Sequence, residues 1–143
     1  MLEWAGAGAI VTGGASGLGA AAARRLANAG LKVAVFDLNE DMGMEMADTL
    51  GGVFKKVDVT LPVSIATAMD EVIDAFGSLR VLVNCAGIAP PAKTVSRGAP
   101  HDPALFAKTI EINLIGSFIC GSKAAAHLSS QAPVDDDGAR GVI

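Results

Sequence analysis

Gly13, Gly17 and Gly19, spaced Gly-x-x-x-Gly-x-Gly inside AIVTGGASGLG (residues 9–19), are the residues best placed to do chemistry. Ile10 and Val11 close an apolar run that reads as a strand, and an Ala-rich helix opens near Leu18. A strand, a glycine turn and a helix N-terminus together make an anion site. The first N–H groups of the helix lack acceptors, and the helix dipole favours negative charge there. Glycine keeps Cβ atoms from blocking a pyrophosphate and supplies the positive φ such turns need. The spacing differs from Gly-x-Gly-x-x-Gly, and no Gly-Lys-Ser/Thr follows, so this is not a P-loop. Helix–strand packing also uses such glycines, and that reading stands beside the first until the next strand is read.

That strand spans residues 32–36 and is followed by Asp37, which lies 18 positions beyond Gly19. A dinucleotide fold places an acidic residue about 20 residues after its glycines, at the end of the second strand. The Asp37 carboxylate could accept both adenosine ribose hydroxyls. The same charge repels a 2′-phosphate, and Gly14, Ala15 and Leu38 offer no cation to hold one, so NAD is preferred over NADP. The alternative is that Asp37 caps the next helix, a task Asn39 could share.

Composition bounds what remains. The 143 residues make one domain with enough chain for a real core. Half the residues are apolar and few are aromatic, which suits parallel strands buried on both faces. A net charge of −4 argues against a nucleic-acid partner. No run of 18 or more apolar residues marks a membrane span, and no basic-then-apolar signal pattern opens the chain. Cys85 and Cys120 lie in apolar segments without metal-ligand spacing, which fits an unbridged pair in a reducing compartment, by default the cytoplasm. No metal site is expected.

The elements that position these residues follow in order. Residues 1–8 form an approach segment, with Trp4 in surface or edge packing. A helix over residues 18–29 buries Leu18, Ala22 and Leu26, turns Arg24 and Arg25 outward and ends at Gly30. A second helix covers residues 40–50 and stops at Gly51 and Gly52. Residues 53–57 form a third strand whose Lys55 and Lys56 suit a sheet edge. Asp58 and Val59 follow it: either they address adenine through the carboxylate and the Val59 N–H, or Asp58 simply caps the helix over residues 62–76. A fourth strand at residues 79–83 leads into Asn84-Cys85-Ala86-Gly87, whose small side chains leave room for a flat cofactor. The Asn84 side chain is expected to tie neighbouring strands.

Residues 88–101 read as an exposed loop. Asp102 and Pro103 then start a helix running to about Leu128 that is apolar on most faces, one side meeting the sheet and the other a partner subunit. Asn113 in its middle is read as an active-site residue rather than a core amide bridging backbone groups. His101 and His127 are expected to be solvated. Residues 129–139 form a solvated loop, and residues 140–143 look like the opening of a fifth strand.

Thr12-Gly13-x-x-x-Gly17-x-Gly19, Asp37, Asp58-Val59, Asn84-Cys85-Ala86-Gly87 and Asn113 together resemble the short-chain dehydrogenase/reductase family. The resemblance covers the whole chain but only the N-terminal half of the family's domain. It implies an α/β fold, a doubly wound parallel sheet (Rossmann fold), here truncated near the start of the fifth strand. It also implies an NAD-dependent oxidoreductase that moves a hydride between NAD and a secondary alcohol or ketone. The cofactor residues it implies are Gly13, Ser16, Gly17, Leu18, Gly19, Asp37, Asp58, Val59, Cys85, Ala86 and Gly87, with Cys85 replacing the family's usual second Asn. Asn113 matches the catalytic Asn that holds a water in the proton relay to an active-site Lys. Within the family, VNCAGIA, INLIGSF and the final RGVI are similar to 3-hydroxyacyl-CoA dehydrogenases, implying a hydroxyacyl-CoA or another alcohol or ketone as the small-molecule substrate. The family's catalytic Ser and Tyr-x-x-x-Lys are missing, and the chain has no tyrosine at all. Three functions follow as alternatives: part of a dehydrogenase, inactive alone; a non-catalytic NAD-binding module; or an assembly protein using its apolar helix. Open sheet edges and that helix imply a homo-oligomer.

Overall fold

Side chains of successive strand residues point to opposite faces of a sheet, and here both faces are covered. The computed structural model describes residues 4–143; the first three residues of the expected approach segment lie outside that range. Strands β1 (Gly8–Thr12), β2 (Lys32–Asp37), β3 (Val53–Lys56) and β4 (Leu79–Asn84) form a parallel sheet in the order β3-β2-β1-β4. Ile10, Ala34, Phe36 and Leu82 project to one face, where they meet α3 (Pro62–Phe76) and α5 (Ser117–Ser130) through Ile65, Met69, Val72, Cys120 and Ala124. Ala9, Val11, Val33, Val35 and Val81 project to the other, under α1 (Gly17–Asn28) and α2 (Glu40–Leu50). Every residue of β1 is buried, as expected of an inner strand that pairs on both sides.

The helix boundaries follow local chemistry. Gly30, with φ +91°, ends α1: its N–H donates to Ala27 O at 2.9 Å and the Leu31 N–H to Leu26 O at 3.2 Å, the paired bonds of a Schellman cap. Gly51 and Gly77 end α2 and α3 in left-handed conformations. Asn39 caps α2 by accepting from the Met42 N–H at 3.0 Å. Asp102 caps α4 (Pro103–Ile110) by accepting from the Ala104 N–H at 2.9 Å. Lys55 and Lys56 lie on the edge strand, as expected.

Four expectations change. Leu18 is not buried but 85% exposed, and the face of α1 that packs is Gly19, Ala20 and Ala23, with Ala22 and Leu26 half-buried. The contact of Gly19 on the Gly13 carbonyl sets this rotation and swings Leu18 outward. The exposed loop after β4 contains a small hairpin, β5 (Val95–Ser96) with β6 (Ala99–Pro100). Arg97 and Gly98 turn it at φ +52° and +79°. His127 is half-buried rather than solvated, and its Nε2 is buried without a partner. The long apolar helix is α4, a π-helical turn (Glu111–Gly116) and α5 in succession. It is 28 residues long and contains a stretch apolar enough to cross a membrane by length and composition alone. In this fold Gly116, Cys120, Ala124 and Leu128 make its buried stripe, while Phe106, Leu114, Ile115 and Phe118 stay exposed.

Residues 140–143 run parallel to β4, with Val142 bridged to Val81. The Val142 N–H donates to Arg80 O at 2.8 Å, and the Leu82 N–H donates to Val142 O at 3.0 Å. The expected fifth strand therefore opens beside β4.

Ile65 is fully buried between α3 and the sheet. Replacing it with Ala should lower the unfolding free energy by about 2–5 kcal/mol. Urea denaturation should show a lower midpoint with an unchanged slope.

Candidate functional site: a crevice at the ends of β1 and β4

In this strand order the chain moves outward from β1 through β2 to β3, then jumps back to β4 on the other side of β1. From the end of β1 the chain enters α1 on one face, and from the end of β4 it runs through a loop to α5 on the other, so a gap opens between the two strand ends, where open α/β sheets take ligands. A crevice of about 800 Å³ lies there. All eleven expected cofactor residues line it: Gly13, Ser16, Gly17, Leu18, Gly19, Asp37, Asp58, Val59, Cys85, Ala86 and Gly87. Asn113 does not.

The glycines divide the work of the turn. Gly13 (φ +63°) lies on the end of β4, where a Cβ would come within 2.7 Å of the Ala86 nitrogen. A Cβ on Gly19 would strike the Gly13 carbonyl. Gly17 (φ +54°) has nothing within 4 Å of a Cβ position, so it keeps the crevice floor open. Ser16 is the extended N-cap of α1, yet its side chain caps nothing, and the first turn holds no acidic residue. The first intrahelical bond is the Ala20 N–H to Ser16 O at 3.0 Å. The N–H groups of Gly17, Leu18 and Gly19 are left as donors at the positive end of the helix.

Asp37 does not cap α2. Its Oδ2 accepts from the Ala15 N–H at 3.0 Å and its Oδ1 from the Asn39 N–H at 3.0 Å, so it staples the glycine turn to the end of β2. Each carboxylate oxygen keeps acceptor capacity beyond one bond. Asp58 does not cap α3 either: the helix begins at Pro62 with Leu61 as an uncapped N-cap. Asp58 Oδ1 instead accepts from the Thr60 N–H at 2.9 Å and the Thr60 hydroxyl at 2.7 Å, which folds a tight turn around Val59. The Asp58 N–H donates to Ser64 Oγ at 3.2 Å.

Asn84 does not tie strands; its Oδ1 is buried with no partner. Thr12 does that work. Its buried hydroxyl accepts from the Cys85 and Ala86 N–H groups, each at 3.2 Å, joining the ends of β1 and β4. Asn113 bridges a single backbone unit: its Nδ2 donates to Ile88 O at 2.8 Å and its Oδ1 accepts from the Ile88 N–H at 2.8 Å. Gly87 sits directly beneath, where a Cβ would come 3.3 Å from Asn113 Oδ1. The Asn113 carbonyl accepts from Ser117 Oγ at 2.8 Å.

The strand-tying role of Thr12 and one wall of the crevice were not read from the sequence. Thr12 had a signal, a polar side chain ending an otherwise apolar strand. Ala104, Ala107, Lys108, Glu111 and Ile112 form a wall from α4 and the π turn, and no short-range pattern marks them. Among the described residues, Lys108 is the one basic residue of a lining that also holds the acidic Asp37, Asp58 and Glu111.

A model of the family described as short chain dehydrogenase matches residues 7–140. The chain belongs to the short-chain dehydrogenase family. It is 41% identical over 138 residues to 3-hydroxyacyl-CoA dehydrogenase type-2 of Drosophila melanogaster, covering 94% of this chain and 54% of that one. It is 39% identical to the protein of the same name from Homo sapiens, over 94% of this chain and 53% of the other. The crystal structure of 3-hydroxyacyl-CoA dehydrogenase type-2 from Mycobacterium avium superposes with a TM-score of 0.90 at 35% identity, covering 99% of this chain and 57% of its own. The chain thus spans about half the length of the family members it matches. The TM-score carries the fold beyond likeness of motif: the parallel four-stranded sheet and its helices are those of a short-chain dehydrogenase.

The two thiols of this family member differ in environment. Cys85 is half-exposed in the crevice, whereas burial pushes Cys120 from 9.0 up to about 11 against an opposing backbone hydrogen bond. A thiol reagent at neutral pH should label Cys85 and spare Cys120 in the folded chain, read by peptide mass spectrometry. Cys120 also sets a pH trend. Between 9.0 and about 11 the unfolded thiol loses its proton while the folded one keeps it, so stability should fall as pH rises through that window. A Cys120→Ala chain should lose part of this alkaline decline, measured by thermal melting.

Proposed function

We propose that the crevice binds NAD, and that the chain supplies the cofactor half of a dehydrogenase acting on a secondary alcohol or ketone, a 3-hydroxyacyl-CoA being the favoured substrate. The observation that carries this reading is the open turn at Gly17: free N–H donors at a helix N-terminus stand at one end of a crevice, with the Asp37 carboxylate beside them. The residues fit the cofactor. Gly17, Leu18 and Gly19 would donate to the diphosphate, Asp37 would accept from the adenosine ribose, and the Asp58–Val59 turn would meet the adenine. Cys85, Ala86 and Gly87 leave a flat wall for the nicotinamide end. Bound NAD supplies the hydride acceptor; the chain orients it and shields the crevice. The names of the similar 3-hydroxyacyl-CoA dehydrogenases support the substrate class.

The 143 residues hold no tyrosine. General acid–base catalysis contributes roughly 10²–10⁴-fold, and no group in this crevice offers the usual phenol. Asn113 matches the family's catalytic Asn, and its side chain would serve by holding Ile88 against the crevice. A cytoplasmic location is supported by two free cysteines, and a homo-oligomer by the exposed Phe106, Leu114, Ile115 and Phe118 on one long helix.

Titration calorimetry tests the reading. The chain should bind NAD in preference to NADP, and Asp37→Ala should weaken NAD binding by on the order of ten-fold or more while narrowing that preference. Turnover with NAD and a 3-hydroxyacyl-CoA should be negligible. No heat with NAD, or dehydrogenation at an enzyme's ordinary rate, would each defeat a part of it. For the oligomer, Phe118→Lys should shift the sedimentation mass toward a single chain without changing the far-ultraviolet circular dichroism.

A further inference from the structure

The π turn between α4 and α5 touches both walls of the crevice. Asn113 holds Ile88 on one side, and three residues later Gly116 is buried against Val59 on the other. A Cβ on Gly116 would lie 2.8 Å from Val59 Cγ2 and 3.1 Å from both Val59 Cβ and the Val59 carbonyl oxygen. Val59 has no room to retreat: it is only 8% exposed and belongs to the core cluster that includes Ile65, Met69 and Cys120. It also cannot move alone, because the Asp58–Thr60 bonds and the Ser64 hydroxyl lock the turn that carries it. A methyl group at Gly116 must therefore displace the whole turn toward the crevice or push the helix off the sheet.

We infer that Gly116 is a positioning residue for nucleotide-base recognition: its missing side chain lets the wide helical turn seat the Asp58–Val59 turn at the depth where a carboxylate and an adjacent N–H can read an adenine edge. The inference rests on the cofactor reading above and deepens it. Adenine presents an amino donor beside a ring nitrogen acceptor, and hypoxanthine presents no amino group. With the base held so that N6 meets the Asp58 carboxylate and N1 the Val59 N–H, hypoxanthine would set its O6 against the carboxylate and its N1–H against the N–H, so the pair favours adenine only while its spacing to the base is held. Gly116 touches neither the base nor any reacting atom; it acts through Val59.

Calorimetry with NAD and with nicotinamide hypoxanthine dinucleotide reads this directly. The wild-type chain should bind NAD more tightly than the hypoxanthine analogue. Gly116→Ala should weaken NAD by about ten-fold and remove the preference between the two bases. The double variant Val59→Ala, Gly116→Ala removes the Cγ2 atom in the way and should recover most of both, a coupling that two independent losses would not show. A folded Gly116→Ala chain with wild-type affinity and base preference overturns the inference, as does a double variant that recovers nothing. Should Gly116→Ala fail to fold, the double variant decides alone: folded with adenine preference supports the inference, folded without it refutes it. Absence of NAD binding by the wild-type chain would instead defeat the cofactor reading itself.

Discussion

The backbone of Gly13 rests on the backbone of Ala86, and the geometry of the site depends on that contact. With any side chain between them, the turn after β1 and the turn after β4 would be pushed apart, since a Cβ would meet the Ala86 nitrogen at 2.7 Å. Held together, they let the Thr12 hydroxyl accept from both Cys85 and Ala86, so the last polar atom of β1 is satisfied by the first residues beyond β4. Gly19 then stacks on the Gly13 carbonyl and fixes the rotation of α1. That rotation spends the small residues Gly19, Ala20 and Ala23 on the sheet and leaves the helix N-terminus facing the crevice. One backbone contact thus links strand pairing, helix docking and the exposure of free donors.

Much of this was legible in the chain. The bounds of α2 and α3 follow from glycine stops and a Pro at the first helical position, signals that act within a few residues. The edge placement of β3 was announced by Lys55 and Lys56. The eleven expected lining residues were legible because they sit at or just beyond the C-terminal ends of β1 to β4, and in a parallel sheet all those ends lie on one side. What was not legible depended on contacts across the sheet. The outward swing of Leu18 follows from a Gly13–Gly19 contact that helical periodicity does not encode. The strand tie belongs to Thr12 and not Asn84, since a hydroxyl can reach two neighbouring N–H groups from a buried position. The wall from α4 is contributed from beyond a long exposed loop, and nothing near Lys108 in sequence ties it to the glycine turn.

The long helix shows how local preference yields to packing. Residues 103–130 are apolar enough for a buried helix on every side, yet only a stripe of small or flexible residues meets the sheet. Where the helix passes the crevice it widens into a π turn, as often happens near functional sites. The widening is where both of its ties to the crevice are made, Asn113 to Ile88 and Gly116 to Val59.

Polarity along the crevice adds the last constraint. Three carboxylates and one ammonium line it, a balance that by itself disfavours a dianion. Two of those carboxylates are turned to backbone donors, Asp37 to Ala15 and Asn39, Asp58 to Thr60, which draws down their charge toward the protein. The unspent backbone donors are the Val59 N–H at the end of β3 and, clustered at the positive end of a helix, the N–H groups opening α1. Acceptors thus gather at the ends of β2 and β3, and donors gather at the end of β1. A ligand with hydroxyl and amino groups at one end and an anion next to them matches that order in one orientation only, because reversing it sets the anion against two carboxylates. Like charges at hydrogen-bond distance in a partly desolvated crevice repel far more strongly than in water. The same fields that admit the ligand therefore decide which way it lies.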